Sequence, residues 1–239
     1  MWLLEMPPDC RATEGLISDM TATFTSPEAI VVSFCAGDEY YFQAAAELRR
    51  TLSEFDVDHD IRELEIPEGK DWIDICREKI RYFRDMLHEH QRPIFWVDVD
   101  TTVVQRPTEV LRSSADITCF LRNFKNLVGF DPDRYTRLIA PPYLGFGYNA
   151  NVLRFLDFAV EMTEASTKRA TDDFFLQEAL TKWDGDLRFM LMKSSDLTRM
   201  HLPEPGTFST DTAATWMALP RRQRSTKLLD CRSTGKKWS

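Results

Sequence analysis

Short apolar runs alternate with amphipathic stretches along this chain in a regular order. Ala29 to Cys35 (AIVVSFC) is a β-branched run of the kind that forms a strand buried on both faces. After the loop Ala36-Gly37-Asp38-Glu39, Phe42, Ala45, Leu48, Leu52 and Phe55 recur at helical spacing and predict a helix. His59 to Ile66 alternates imperfectly, with Ile61, Leu64 and Ile66 apolar, and predicts a second strand. Asp71 is placed to cap a second helix whose core face carries Trp72, Cys76, Ile80, Phe83 and Leu87. Pro93 ends that helix and opens a third strand, Ile94 to Val97.

Beyond this point Pro107 and Val110-Leu111 predict a short helical turn, and Ala115 to Leu121 (ADITCFL) a strand. Residues 122–142 carry the turn signals Asp131-Pro132 and Pro141-Pro142 and no periodicity, as a functional loop would. Pro142 to Asn149 (PYLGFGYN) predicts a strand whose glycines allow another group to approach the backbone closely. Helices over 151–165 and 172–182 and a last strand, Leu187 to Met192, complete the reading. Strands alternating with helices imply an α/β fold, a mostly parallel central sheet flanked by helices, with right-handed connections. In such sheets ligands gather at the carboxyl ends of the strands. Residues 1–28 read as an irregular lead-in, 29–219 as a single domain and 220–239 as a basic tail.

Composition narrows the classes. An apolar share of 43% and a charged share of 28% describe an ordinary globular chain with material for a core. No apolar run approaches the ~20 residues of a membrane span, and MWLLEMPPDC lacks the basic start and long apolar stretch of a signal peptide, so the expectation is a cytoplasmic protein without a transmembrane segment. The five cysteines are scattered without metal-ligand spacing and read as free thiols. Seven basic residues against one acid from Pro220 to Ser239 give a local +6, which leaves −14 on the rest of a chain of net charge −8. A body so acidic argues against nucleic acid as the main partner.

The chemistry concentrates at the end of the third strand, in IFWVDVDTTVV, where Asp98 and Asp100 are one residue apart. If the extended conformation persists there, both carboxylates leave the same face. Two such charges ~6 Å apart repel by roughly 1 to 3 kcal/mol at an intermediate dielectric, so the pair calls for a counter-cation. A bland alternative is that the two acids cap a loop or turn.

Several pieces, in order, resemble one family. VVSFCAGDEYY resembles the first strand and nucleotide loop of the GT-A nucleotide-diphospho-sugar transferases, and WIDICREKIRYF the helix before their Asp-x-Asp strand. IFWVDVDTTVVQRP resembles the Asp-x-Asp motif itself, LGFGYNANVLRFLDFAVEM the glycine-containing strand and helix after it, and DDFFLQEAL the later Asp-Gln-x-x-Leu helix start. The resemblance spans roughly 29–192 and implies a Rossmann-like GT-A domain that moves a sugar from a nucleotide-diphosphate donor to an acceptor hydroxyl with Mn2+ or Mg2+ as cofactor.

Carried over residue by residue, it implies Asp100 as metal ligand and Asp98 as a neighbour that serves nucleotide and metal. Phe34, Ala36, Asp38 and Tyr40 become candidates for base and ribose, although Tyr40 and Tyr41 fit the core equally. Lys79 becomes a donor-binding residue, against the plainer account of a solvated helix lysine. Asp172 and Asp173 become the catalytic carboxylates, against simple capping of their helix, with Asp173 standing where the family often has glutamine. His201 stands in the region from which some members supply a histidine to the metal. STGKKWS resembles the family's C-terminal segment without its proline and histidine, and Lys236 and Lys237 there would clamp a diphosphate if the tail folds back.

Two other classes stay open. Asp98-Val99-Asp100-Thr101-Thr102-Val103 also resembles the haloacid-dehalogenase phosphatase motif, with Asp98 as nucleophile and Asp100 as general acid, although that motif normally follows the first strand. A non-catalytic nucleotide-sugar-binding module would keep the fold without turnover.

Overall fold

The computed structural model of the chain describes residues 27–121, 139–193 and 208–210, the last three by their backbone alone. In chain order its elements are β1 (Ile30–Cys35), α1 (Glu39–Glu54), β2 (His59–Glu63), α2 (Trp72–His90), β3 (Ile94–Val97), β4 (Thr101–Val103), α3 (Thr108–Leu111), β5 (Ile117–Leu121), β6 (Ile139–Phe146), α4 (Ala150–Ala165), α5 (Asp172–Lys182), β7 (Phe189–Leu191) and β8 (Phe208–Thr210). Six strands form one sheet in the order β2-β1-β3-β6-β5-β7, and β4 pairs with β8 apart from it. β2, β1 and β3 are parallel, β5 and β7 are parallel, and β6 runs opposite to its two neighbours. The protein is therefore mixed α/β with a mostly parallel sheet flanked by helices.

Alternation along the strands sends apolar side chains to both faces. Val32, Phe34, Trp96 and Leu144 pack under α2, α4 and α5 with Phe83, Phe155 and Phe175, while Val31, Phe95 and Val97 pack under α1 with Leu48 and Leu52. Local chemistry fixes where the helices start. The Asp38 side chain accepts from the Tyr40 amide at 3.2 Å, and Asp71 and Asp74 form a reciprocal capping box at the start of α2. At its other end Gln91 turns the chain in the left-handed region, φ 50°, ahead of Pro93. Asn149 accepts from the Asn151 and Val152 amides, each at 3.0 Å, and starts α4.

The structure departs from the sequence reading at definite places. Trp72, expected on the core face of α2, is the first residue of that helix and 51% exposed, and burial on that face begins at Cys76. β2 ends at Glu63; the Leu64 amide still donates to the Cys35 carbonyl at 2.9 Å, and Ile66 lies beyond the strand. β6 begins at Ile139, so Pro141 and Pro142 lie inside a strand; neither offers an N–H, and the β5 ladder shifts register opposite them, between Cys119 and Phe120. β8 has no counterpart in the sequence reading. The expected close approach to the glycine strand is present: a Cβ on Gly145 would stand 2.9 Å from Thr118 Cβ and 3.2 Å from Phe95, so only glycine fits between them. Cys35, Cys76 and Cys119 are buried free thiols. Among the described residues no helix is long and apolar enough to cross a membrane. The basic tail and nearly all of the N-terminal lead-in lie outside the described residues.

Candidate active site

Strand β3 delivers Asp98 to the rim formed by the carboxyl ends of β1, β2 and β3, and there the extended conformation stops. The Asp98 amide donates to the Pro142 carbonyl at 3.0 Å, and the Thr101 amide turns back onto the Asp98 carbonyl at 3.0 Å. Asp98-Val99-Asp100 is thus a tight turn. The expectation of two carboxylates leaving one face of a continuing strand fails, because the turn closed by Thr101 breaks the two-residue alternation. Both aspartates remain half-buried.

Asp98 is held from two sides. The indole N–H of Trp96, a fully buried ring, donates to Asp98 Oδ1 at 3.1 Å, and Lys79 Nζ donates to the same oxygen at 2.7 Å. The ammonium also stands 5.1 Å from the Trp96 ring centroid, within cation–π range. Lys79 is not the solvated helix lysine of the plainer reading: its side chain is 13% exposed and its second ionic partner is Asp172 Oδ2 at 3.7 Å. Burial opposes the charge on Lys79, but Asp172 and Asp98 outweigh it and hold the ammonium protonated well above the ordinary lysine range.

Asp172 and Asp173 open α5 and are both buried, with 4% exposure each. Both lie in the first turn, where a carboxylate complements the helix dipole, and a backbone amide at the helix start also supports Asp172. Thr171 occupies the cap position without a side-chain cap bond, and its hydroxyl donates to the Asp173 carboxylate. Burial pushes the Asp172 carboxyl up from 3.8 to about 6 despite the pull of Lys79, with Asp98 and Asp173 adding to the rise. Its Oδ2 is buried without a hydrogen-bond partner and meets Lys79 only at ion-pair distance. A buried carboxylate oxygen left in that state is short of a donor or cation.

Four neighbours escaped the sequence reading as site residues. Trp96 left one signal, since a strand tryptophan buried two residues before an aspartate needs a partner for its N–H. Cys76, one turn before Lys79 on α2, faces the same carboxylates; burial raises its thiol to about 12, and Lys79 pulls the other way. Burial also raises the phenols of Tyr41, with the charge of Asp100 adding to it, and of Tyr143, with Asp98 and Asp100 adding. The two tyrosines arrive from α1 and β6, a convergence that only the tertiary fold reveals.

The first-loop candidates divide. Phe34 is 5% exposed and packs edge-on to Tyr82 and tilted to Trp96, at ring-centroid distances of 5.1 and 5.2 Å. Phe34 and Ala36 nevertheless contribute to the wall of a cleft of about 410 Å³, whose apolar part is completed by Leu64, Ile66, Ile75 and Tyr82 and whose edge carries charged side chains such as Lys70, Glu78 and Arg81. Asp38 caps α1, and Tyr40 beside it is 46% exposed, so it is not a core residue. His201, Lys236 and Lys237 lie outside the described residues.

A divalent cation fits this donor set in part. Asp98 and Asp100 offer hard carboxylate oxygens, but among the described residues no group of three or more His, Cys, Asp or Glu side chains could hold a metal ion. One or two carboxylates completed by substrate phosphates is the usual mode for Mg2+.

Lys79 is thus shared by two aspartates, Asp98 and Asp172, at the carboxyl rim of a mostly parallel sheet, the rim where ligands of such folds gather. The fold itself is that of known glycosyltransferases. A glycosyltransferase involved in the glycosylation of the major capsid of PBCV-1 is similar over 84% of this chain and 99% of its own, with TM-score 0.54 and 11% identity. The apo form of the glycosyltransferase GlyE from Streptococcus pneumoniae TIGR4 is similar over 85% of this chain and 64% of its own, with TM-score 0.51 and 11% identity. No protein-family model matches the sequence, and no curated protein matches it either.

Proposed function

We propose that the protein is a GT-A-type glycosyltransferase that moves a sugar from a nucleotide-diphosphate donor to an acceptor hydroxyl. The observation that carries this reading is the cluster of Lys79, Asp98 and Asp172 at the carboxyl rim, joined to a fold shared with glycosyltransferases. The nucleoside lies along the slot that begins at Phe34 and Ala36, with Asp38 and Tyr40, further along the same loop, as its other contacts. Lys79 leaves Asp98 for an oxygen of the donor when the donor enters, since a diphosphate supplies a stronger anion than a carboxylate already shared. Asp98 and Asp100 would hold Mn2+ or Mg2+, with His201 as a further ligand, and the cation would supply positive charge against the departing diphosphate.

With a pKa of about 6, Asp172 is mainly ionised at neutral pH and ready to accept a proton. In an inverting reaction Asp172 or Asp173 takes the proton of the acceptor hydroxyl as its oxygen bonds to the sugar C1 and the bond from C1 to the diphosphate breaks. In a retaining one the same carboxylates hold the donor. The place of Asp98 after the third strand, where the phosphatase motif follows the first, favours this reading over an aspartyl-phosphate nucleophile.

The test is a panel of nucleotide sugars assayed for transfer and for hydrolysis with and without Mn2+, beside calorimetric binding of nucleoside diphosphates. Mn2+-dependent binding and turnover are expected. Binding without any turnover across the panel would leave a non-catalytic module, and phosphate release through an aspartyl-phosphate at Asp98 would replace the reading by a phosphatase.

A further inference from the structure

α2 carries more than Lys79. Two residues earlier Arg77 projects towards the end of α4 and the connection 166–171 that leads into α5. Its guanidinium donates to Thr163 O at 2.6 Å, Ser166 O at 3.1 Å and Lys168 O at 3.4 Å, and lies 4.9 Å from the centroid of the Phe175 ring. The first two are carbonyls at the end of α4, where a cation also complements the helix dipole. Phe175 stands one turn after Asp172 and is 2% exposed. Arg169, from the same connection, pairs with Asp71, the cap of α2, and the Lys168 ammonium lies 5.1 Å from the Phe174 ring. The connection is thus fastened to the helix that bears Lys79 and to the helix that bears Asp172.

From this geometry we infer that Arg77 is a positioning residue, which sets the start of α5 so that Asp172 stays buried opposite Lys79. The inference rests on the reading of Asp172 as a site carboxylate, but the contacts stand without it. A guanidinium suits the task because its fixed fork spans several carbonyls at once, which a single ammonium cannot do. Arg81, one turn further along α2, makes a comparison within the same pair of helices: it bridges α2 to Glu164 of α4 at 2.5 Å and touches nothing in the connection.

The experiment is an NMR titration of labelled aspartate side chains in the metal-free full chain. The groups around Asp172 are Lys79 and Cys76 on α2, Asp98 beyond β3 and Asp173 on its own helix. In the wild-type chain Asp172 is expected to titrate at about 6. In Arg77→Met the start of α5 loosens, water reaches the carboxyl and its midpoint falls towards about 4, the ordinary range. Arg77→Lys keeps a cation at the end of α4, and with it the fold, and is expected to move the midpoint in the same direction by less. Arg81→Met is expected to leave it in place. An unchanged midpoint in both Arg77 variants, an equal shift in Arg81→Met, or a wild-type midpoint already near 4 overturns the inference. Failure to observe sugar transfer touches the functional reading alone, since the titration needs no turnover.

Discussion

Replacing Asp172 by asparagine should make the protein more stable, and only at the pH where the carboxyl is ionised. In the folded state Asp172 titrates at about 6 against an ordinary 3.8. The native state therefore holds this proton more tightly than the unfolded chain does. Its contribution is fully present below about pH 4 and is lost as the pH rises through about 6. At ~1.4 kcal/mol per pH unit, the ionised carboxylate costs about 3 kcal/mol above pH 7. Asp172→Asn keeps the shape and removes the charge. It should match wild type near pH 4 and exceed it by up to about 3 kcal/mol at pH 8, or roughly 6–12 °C in Tm for a chain of this size. Urea unfolding in chelator at both pH values reads the difference. A variant no more stable than wild type at pH 8, or a gain that does not change with pH, would refute the reasoning. The same substitution should abolish transfer, as expected where stability is given up for a charged site.

Three further outcomes follow from the same contacts. Lys79→Met leaves Asp98 and Asp172 without their shared cation and should destabilise the fold by about 3 kcal/mol at neutral pH; combining it with Asp172→Asn should recover most of that loss in a double-mutant cycle of urea midpoints. Asp100→Ala should keep the melting temperature within a few degrees and weaken Mn2+-dependent nucleoside-diphosphate binding by more than about tenfold in calorimetry, the equivalent of ~1.4 kcal/mol; unchanged metal-dependent binding would remove Asp100 from the site. Gly145→Ala should cost about 1 to 3 kcal/mol by overpacking against Thr118 Cβ and Phe95, with a favourable coupling in a double-mutant cycle to Thr118→Gly, the change that removes the crowded Cβ.

The order of strands and helices was legible because apolar runs and helical spacing are local properties. AIVVSFC, IFWV and the faces of α1 and α2 announce themselves within a few residues, and Asp71 caps α2 as its position predicts, whereas Asp38 and Asn149, read as a loop residue and a strand end, prove to cap α1 and α4. The candidate site was legible as a set of residue types and not as a geometry. Nothing local distinguishes Asp98 in a strand from Asp98 in a turn, since the Thr101 amide that closes the turn competes with a ladder whose partner lies some forty residues away. Lys79 looked solvated because the acids that bury it come from other elements. Only the first residues of the proline-bearing strand, 139–141, read as a loop, for a similar reason, as the missing N–H groups are absorbed by a register shift in β5 that no local rule anticipates.

The reversed direction of β6 decides which side of the sheet the last helix faces at its start. Because β6 descends from the rim that holds Asp98, α4 must climb back to that rim, and the 166–171 connection releases α5 there, with its first residue against Lys79. With β6 parallel to its neighbours, the same sequence of helices would open α5 at the far edge, and Asp172 would be a full strand length from Asp98. One strand that contributes no charged side chain to the site thus acts as a parity bit in the winding. Any rewiring of this fold that changes the number of reversals between β3 and α5 by one would separate the two halves of the pocket while leaving each helix and strand intact.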